Sequence, residues 1–170
     1  MISAALLLLT SASASPQAAE EAEVLAVVDA FFEAYYAKDV DGFYATLMDD
    51  ARGRSVRPDG AGGLKISPNA PVAEVFGDLS QFPTVVEVYW DPEVRIRGGV
   101  AQFWAPYYLE VNGVPIHCGI DAFTLIQSTE GWKLHSLDYT AEPDACSALG
   151  YDRANEDLRP RSLVGQLSKD

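Results

Sequence analysis

His117, Asp121 and Tyr108 are the residues of this chain whose types and spacing could move protons. They fall in or just before the stretch VNGVPIHCGIDAFTL. Asn112-Gly113 is a two-residue hairpin signal. Pairing Val111 with Val114 makes partner numbers sum to 225, so Tyr108 lies opposite His117 and Trp104 opposite Asp121. Side chains alternate along a strand, which puts Trp104, Tyr108, His117 and Asp121 on one face. An imidazole titrates near neutral pH and could act as acid or base. Tyr108 and Asp121 could orient it, or donate hydrogen bonds to a carbonyl oxygen. A buried Asp121 with no cation nearby would be held protonated by desolvation. The plainer roles are a satisfied polar group in an apolar pocket, or at its rim, for His117, and a carboxyl bonded to backbone or to Tyr108 for Asp121.

Other chemistries find no support. There is no HExxH, no cysteine cluster, and the two histidines are not spaced as a ligand pair, so no metal is expected. There is no GxSxG elbow, Walker loop or GxGxxG, and no cofactor is expected; Gly60-Ala61-Gly62-Gly63 reads as a loop. His135, beside Lys133 on the last strand, is expected in solvent. Trp90, Trp104 and Trp132 read first as core residues. The 25 acidic and 12 basic residues give a net charge of -13, a field that repels nucleic acid.

The elements that would position these groups follow from periodicity. With 170 residues, 48% of them apolar, the chain suits one domain with a real core. From Val24, apolar residues recur as Val24, Val28, Phe31 and Tyr35, with Leu25, Phe32 and Tyr36 beside them, the wide stripe of a helix on a large surface. Asp39 can cap a second helix carrying Val40, Phe43, Tyr44 and Leu47, which ends at Asp49-Asp50-Ala51. Residues 52–71 read as loops around short strands near 54–57 and 64–67, and 72–81 as a short third helix. The period then becomes two. Strands are expected at 84–90, 93–97, 101–111, 116–127 and 132–140, with a bend at Asp91-Pro92. Helices first and antiparallel strands after indicate an α+β fold, helices lying across a curved sheet to leave a cone-shaped pocket. Phe31, Tyr35, Trp104 and Phe123 would line it. Both faces of 101–111 are apolar or aromatic, so a second subunit, a homodimer, is expected on the outer face.

Residues 1–14 (MISAALLLLTSASA) carry no charge, hold an apolar run too short to span a bilayer, and end in small residues suited to signal-peptide cleavage. The expected division is a leader over 1–14, a polar lead-in over 15–23, the domain over 24–146 and a flexible charged tail over 147–170. The mature protein would be periplasmic or secreted and free of the membrane. In the hairpin closed by 128–131, Cys118 falls opposite about residues 140–141, and Cys146 follows Pro143 closely enough to fold back and form a disulfide. Left unpaired, the two would behave as small apolar residues.

The helical pair ending in LMDDA, followed by WDPEVRI, WAPYYLEVNG, HCGIDAFTLI and EGWKLHSLDYT, resembles the nuclear-transport-factor-2-like (NTF2-like) superfamily over about 24–146. The string over 104–146 is similar to its small bacterial SnoaL-like and lumazine-binding-like members. The resemblance implies a cone that hosts isomerases, dehydratases, cyclases, epoxide hydrolases and many members without known activity. Ketosteroid isomerases combine a carboxylate base with an oxyanion hole made of a tyrosine and a protonated carboxylic acid. On that pattern Asp121 takes the acidic donor's place, Phe31 stands where the tyrosine should, and Ser55 where the base should. Tyr35, Tyr36 or Asp59 could substitute only with a shift of register. Scytalone-dehydratase-like members use His, Asp and Tyr in the cavity. The expected function is therefore an exported binding protein for a small apolar or aromatic molecule. The alternative is an isomerase or dehydratase using His117, Asp121 and Tyr108 on a cyclic carbonyl or polyketide-like compound. A third possibility is an interaction module using the acidic surface or the tail.

Overall fold

The computed structural model describes residues 15–81 and 83–151. The leader expected at 1–14 and most of the expected tail lie outside the described residues. Helix α1 spans Pro16–Ala37. Ser15 caps it by accepting from the Ala18 N–H, Pro16 occupies the first turn, and Lys38 closes it in the left-handed conformation. The lead-in of 15–23 is thus the first two turns of the helix. Its Ala and Glu residues favour helix intrinsically but carry no apolar stripe, so periodicity begins only at Val24. Val24, Val28, Phe31, Phe32 and Tyr35 are buried. Helix α2, Val40–Ala45, starts where Asp39 accepts from the Gly42 N–H. No helix among the described residues is long and apolar enough to cross a membrane.

The chain then enters a strand sooner than its sequence suggests. β1 runs from Leu47 to Pro58, so Leu47 through Ala51 belong to the sheet and not to the second helix. β2 (Leu64–Ile66) and β3 (Ala70–Pro71) pair with β1. Helix α3 is Val72–Phe76, followed by a single 3-10 turn at Leu79–Gln81. β4 (Val85–Tyr89), β5 (Glu93–Arg97), β6 (Val100–Val111), β7 (Val114–Ser128) and β8 (Gly131–Thr140) complete the sheet. The order is β2-β1-β8-β7-β6-β4, with β5 on the other half of β6 beyond the bend at Asp91. The architecture is the expected α+β one, a curved, unclosed sheet under helices. The sheet is mixed rather than purely antiparallel, because β1 runs parallel to β8. The core fills the space between α1 and the inner face, where Phe31, Phe43, Phe103, Phe123, Leu125 and Leu134 are buried.

The β6–β7 register decides which side chains meet. Asn112 and Gly113 both take positive φ, the hairpin turn the sequence indicates. Val111 pairs with Val114 and Glu110 with Pro115, but Leu109 pairs with His117. Ile116 is therefore an extra residue, a bulge beside a proline that has no N–H to give the ladder. Beyond it partner numbers sum to 226. Tyr108 lies opposite Cys118 and Trp104 opposite Ala122. The single-face grouping of Trp104 and Tyr108 with His117 and Asp121 is thereby corrected.

Cys118 and Cys146 form a disulfide. It holds residues 145–151 against the outer face, where Tyr108, Val86, Val88 and Cys118 form a second apolar cluster. Tyr151 stacks on Tyr108 with ring centroids 4.1 Å apart, and the Trp90 indole donates to the Leu149 carbonyl. The start of the expected loose tail is thus packed, and this end of the outer face is covered by the chain's own residues. At the other end Trp104 stands 52% exposed.

Candidate functional site

A cavity of about 170 Å³ lies between α1, α3 and the inner sheet face. Phe31, Phe32 and Tyr35 of α1 and Val75 and Phe76 of α3 form one wall. Glu87 (β4), Tyr107 and Leu109 (β6), His117, Asp121 and Phe123 (β7), and Leu137 and Tyr139 (β8) form the other. A volume near 150 Å³ is enough for one benzene-sized ring. A larger depression of about 600 Å³ opens on the outer face beside Trp104, Glu93 and Arg95, away from these groups.

Sheet register brings the polar groups together. Glu87, Leu109 and His117 lie in one row across β4, β6 and β7, while Ala105, Asp121, Tyr139 and Ser55 form another across β6, β7, β8 and β1. Tyr107 pairs with Gly119, whose missing side chain lets the phenol cross β7. A Cβ at Gly119 would collide with the Thr140 carbonyl oxygen and come within 2.8 Å of Tyr107 Cε1. Gly119→Ala is therefore expected to lower stability by about 1–3 kcal/mol, as overpacking does, and to displace Tyr107. Chemical denaturation gives the first quantity. The tyrosine shift in a two-dimensional NMR spectrum gives the second.

The hydrogen bonds set the protonation of His117. Tyr107 donates its single proton to the Thr140 carbonyl at 2.7 Å. Its oxygen also lies 3.3 Å from His117 Nδ1, so Nδ1 must carry the hydrogen and donate to it. Burial lowers the His117 pKa, and the positive charge of Arg57 lowers it further, although the Cys118 backbone acts in the opposite direction. The imidazole is thus neutral at pH 7, with Nε2 left as a lone-pair base.

Asp121 is 1% exposed, and its Oδ2 has no hydrogen-bond partner among the described residues. Burial raises its pKa well above the usual carboxylate range, and the neighbouring Glu87 carboxyl raises it further. Burial likewise pushes half-buried Glu87 up to about 8. Two acids are thus held largely protonated in one apolar cavity. Burial also raises the phenols of Tyr35, Tyr107 and Tyr139, with Glu87 the next cause for each. The buried Tyr36 hydroxyl lies toward the Glu87 backbone without closing a hydrogen bond.

Of the residues singled out from sequence, His117, Asp121, Phe31, Tyr35 and Phe123 line the cavity. Tyr108 does not; it lies on the outer face, donating to Glu110 at 2.8 Å, and Tyr107 takes the inner place. Trp104 is likewise outside the cavity. Ser55 is buried opposite Tyr139 in the β1–β8 register. Asp59 stays in the exposed loop, accepting from the Ala61 and Gly63 N–H groups, and His135 pairs with Asp50 at 3.7 Å in solvent. Glu87 and Tyr139 escaped the sequence reading. The available signal for Glu87 was a lone acid inside the apolar strand VVEVY. Among the described residues, no three His, Cys, Asp or Glu side chains are placed to share a metal ion.

This architecture and its cavity define an NTF2-like α+β cone, and the chain adopts that fold. No family model matches the sequence. No curated protein matches it either. Solved structures do. A Mycobacterium tuberculosis protein of unknown function superposes with TM-score 0.60 at 14% identity, covering 89% of this chain and 88% of its own. A candidate dehydratase of the NTF2-like family from Streptomyces avermitilis gives TM-score 0.58 at 16% identity, covering 75% and 98%. A candidate ketosteroid isomerase from Shewanella frigidimarina gives 0.52 at 15%, covering 71% and 96%. At these identities the likeness is one of fold.

Proposed function

We propose that this is an exported pocket protein that binds a small, single-ring molecule between α1 and the inner sheet face. The observation that carries the reading is the cavity itself, walled by aromatic rings and holding the buried carboxyl of Asp121, whose Oδ2 has no partner among the described residues. Cores close-pack and pair their polar groups, so a void with an open acceptor suits a ligand. The disulfide supports an oxidising compartment, periplasmic or secreted. The exposed surface around Trp104 is where we place self-association into a homodimer. The expected result is that a single-ring ligand present at a hundred times its Kd stabilises the protein by about 2.7 kcal/mol. For a domain of this size that is roughly 5 °C or more in Tm. Fused-ring compounds should leave the Tm unchanged. Thermal denaturation across such a panel, guided by native mass spectrometry of protein from its own host, decides it; no shift with any single-ring compound defeats the reading.

A second reading, an isomerase or dehydratase acting on a cyclic carbonyl, is favoured by one feature. A neutral imidazole with a free Nε2 and a protonated Asp121 line the same cavity, a base and an acid together. Tyr107 takes the place first given to Tyr108. On this reading His117→Ala and Asp121→Asn each reduce product formation by roughly 100-fold, the scale of acid–base groups, without abolishing binding.

A further inference from the structure

We propose that the cavity takes an organic cation, a protonated primary amine carried on a single ring, with its ammonium held by Glu87 and Asp121 and its ring against the aromatic wall. This rests on the reading of the cavity as a ligand site and names the class of ligand.

The cavity holds two carboxyl groups and, among the described residues that line it, no lysine or arginine. Arg57, the charged side chain acting on this region, is itself exposed. A single protonated acid is enough to donate to a carbonyl oxygen. A second acid beside it adds desolvation and repulsion, which a cation between the two would offset. The placed protons point the same way. Tyr107 gives its hydrogen to Thr140, and His117 gives the Nδ1 hydrogen to Tyr107. Once Glu87 has ionised, the acceptors facing a ligand are its carboxylate, the carbonyl oxygen of the Asp121 acid and His117 Nε2, and Asp121 Oδ2 has no partner among the described residues. An ammonium brings three donors and a positive charge to match. Phe31, Phe32, Phe123 and Tyr35 supply ring faces for cation–π attraction, and a chain of net charge -13 steers cations toward itself. On binding, Glu87 ionises and its one proton leaves to water, while Asp121 keeps its own.

Benzylamine and benzyl alcohol have the same shape and fit the available volume, so they isolate the charge. Isothermal titration of the full chain at pH 7.5 is expected to show benzylamine binding about tenfold or more tightly than benzyl alcohol, the scale of a charge-assisted hydrogen bond. Heats measured in two buffers of different ionisation enthalpy should differ for the amine, reporting proton release, and agree for the alcohol. Glu87→Gln and Asp121→Asn, which copy the protonated acids in shape, should bring the two affinities close to parity, chiefly by weakening the amine. Amine affinity should rise from pH 6.5 to 8. Of the groups facing the pair (His117, Tyr107, Tyr139, Tyr35, Tyr36 and the exposed Arg57), His117 stays neutral and the phenols protonated over that range. An alcohol that binds as well as the amine overturns the inference and leaves the pocket reading standing. An amine preference that survives both substitutions places the cation elsewhere on the acidic surface and also overturns it. Binding of neither probe removes the inference and the pocket reading together.

Discussion

Raising the pH from 6.5 to 8 is expected to destabilise this protein by a few kcal/mol, and Glu87→Gln is expected to remove much of that loss. The folded state holds Glu87 up at about 8 against an ordinary 4.5, and Asp121 well above its ordinary 3.8. Between each ordinary value and the raised one, the folded chain binds protons that the unfolded chain has released. Stability is therefore fullest below the ordinary carboxylate values and falls as pH climbs toward the raised ones. His117 acts in the other direction. Its pKa is lowered in the fold, so its contribution is present above 6.5 and is lost as pH falls through the folded value. Below 6.5 the two effects oppose each other. Above 6.5 the carboxyl pair acts alone, because the phenols of Tyr35, Tyr36, Tyr107 and Tyr139 are raised beyond this range. Urea midpoints at pH 6.5, 7.2 and 8 measure the slope. The double variant Glu87→Gln/Asp121→Asn should be nearly flat and more stable than the parent at pH 8. A parent whose stability stays level or rises over this interval would show that the pair is solvated, and that the cavity is not the low-dielectric space described above.

Loss of the Cys118–Cys146 bond is expected to cost about 3–4 kcal/mol, from the chain entropy regained by a loop of that length. The sequence separation is 28 residues. Cysteine 118 is fully buried, so Cys146→Ala is the cleaner variant, because the core residue is kept as a thiol. The damage should be local as well as global. Residues 145–151 cover the outer cluster by stacking Tyr151 on Tyr108 and by accepting the Trp90 indole hydrogen at the Leu149 carbonyl. Once the segment is untethered, Trp90 should become more solvated and its fluorescence should shift to longer wavelength before the core unfolds. Guanidinium denaturation followed by tryptophan fluorescence and by circular dichroism reads both. Coincident, unshifted transitions in Cys146→Ala and parent would mean that the segment docks without the bond.

Local pattern determined most of the elements. The Val24-to-Tyr35 stripe, the Asp39 cap, the Asn112-Gly113 turn and the bend at Asp91-Pro92 each carry their own physical signature, a periodicity or a backbone preference of a few neighbouring residues. They were enough for helices before strands, and for the α+β class. The resemblance to the NTF2-like superfamily agreed with that reading. The long β1 was not legible in this way. Leu47 continues an apolar helical face in sequence and Asp49-Asp50-Ala51 reads as its end, yet the segment is strand, and Leu47 pairs with Leu134 of β8, more than eighty positions later.

The site shows the same division more sharply. His117, Asp121, Phe31, Tyr35 and Phe123 could be placed because strand alternation and helical spacing are fixed by the chain itself. Exchange of Tyr107 for Tyr108 turned on one inserted residue, Ile116, and a one-residue slip on a strand moves every partner to the opposite face. Glu87 could join Asp121 only once β4 lay beside β6, and the proton allocation of His117 needed Thr140, from a third strand, within reach of Tyr107. Sequence alone determined which residues can carry charge and protons, because those are properties of side chains. Tertiary structure decided which of them meet and in what ionisation state, because proximity and desolvation exist only after distant strands have packed.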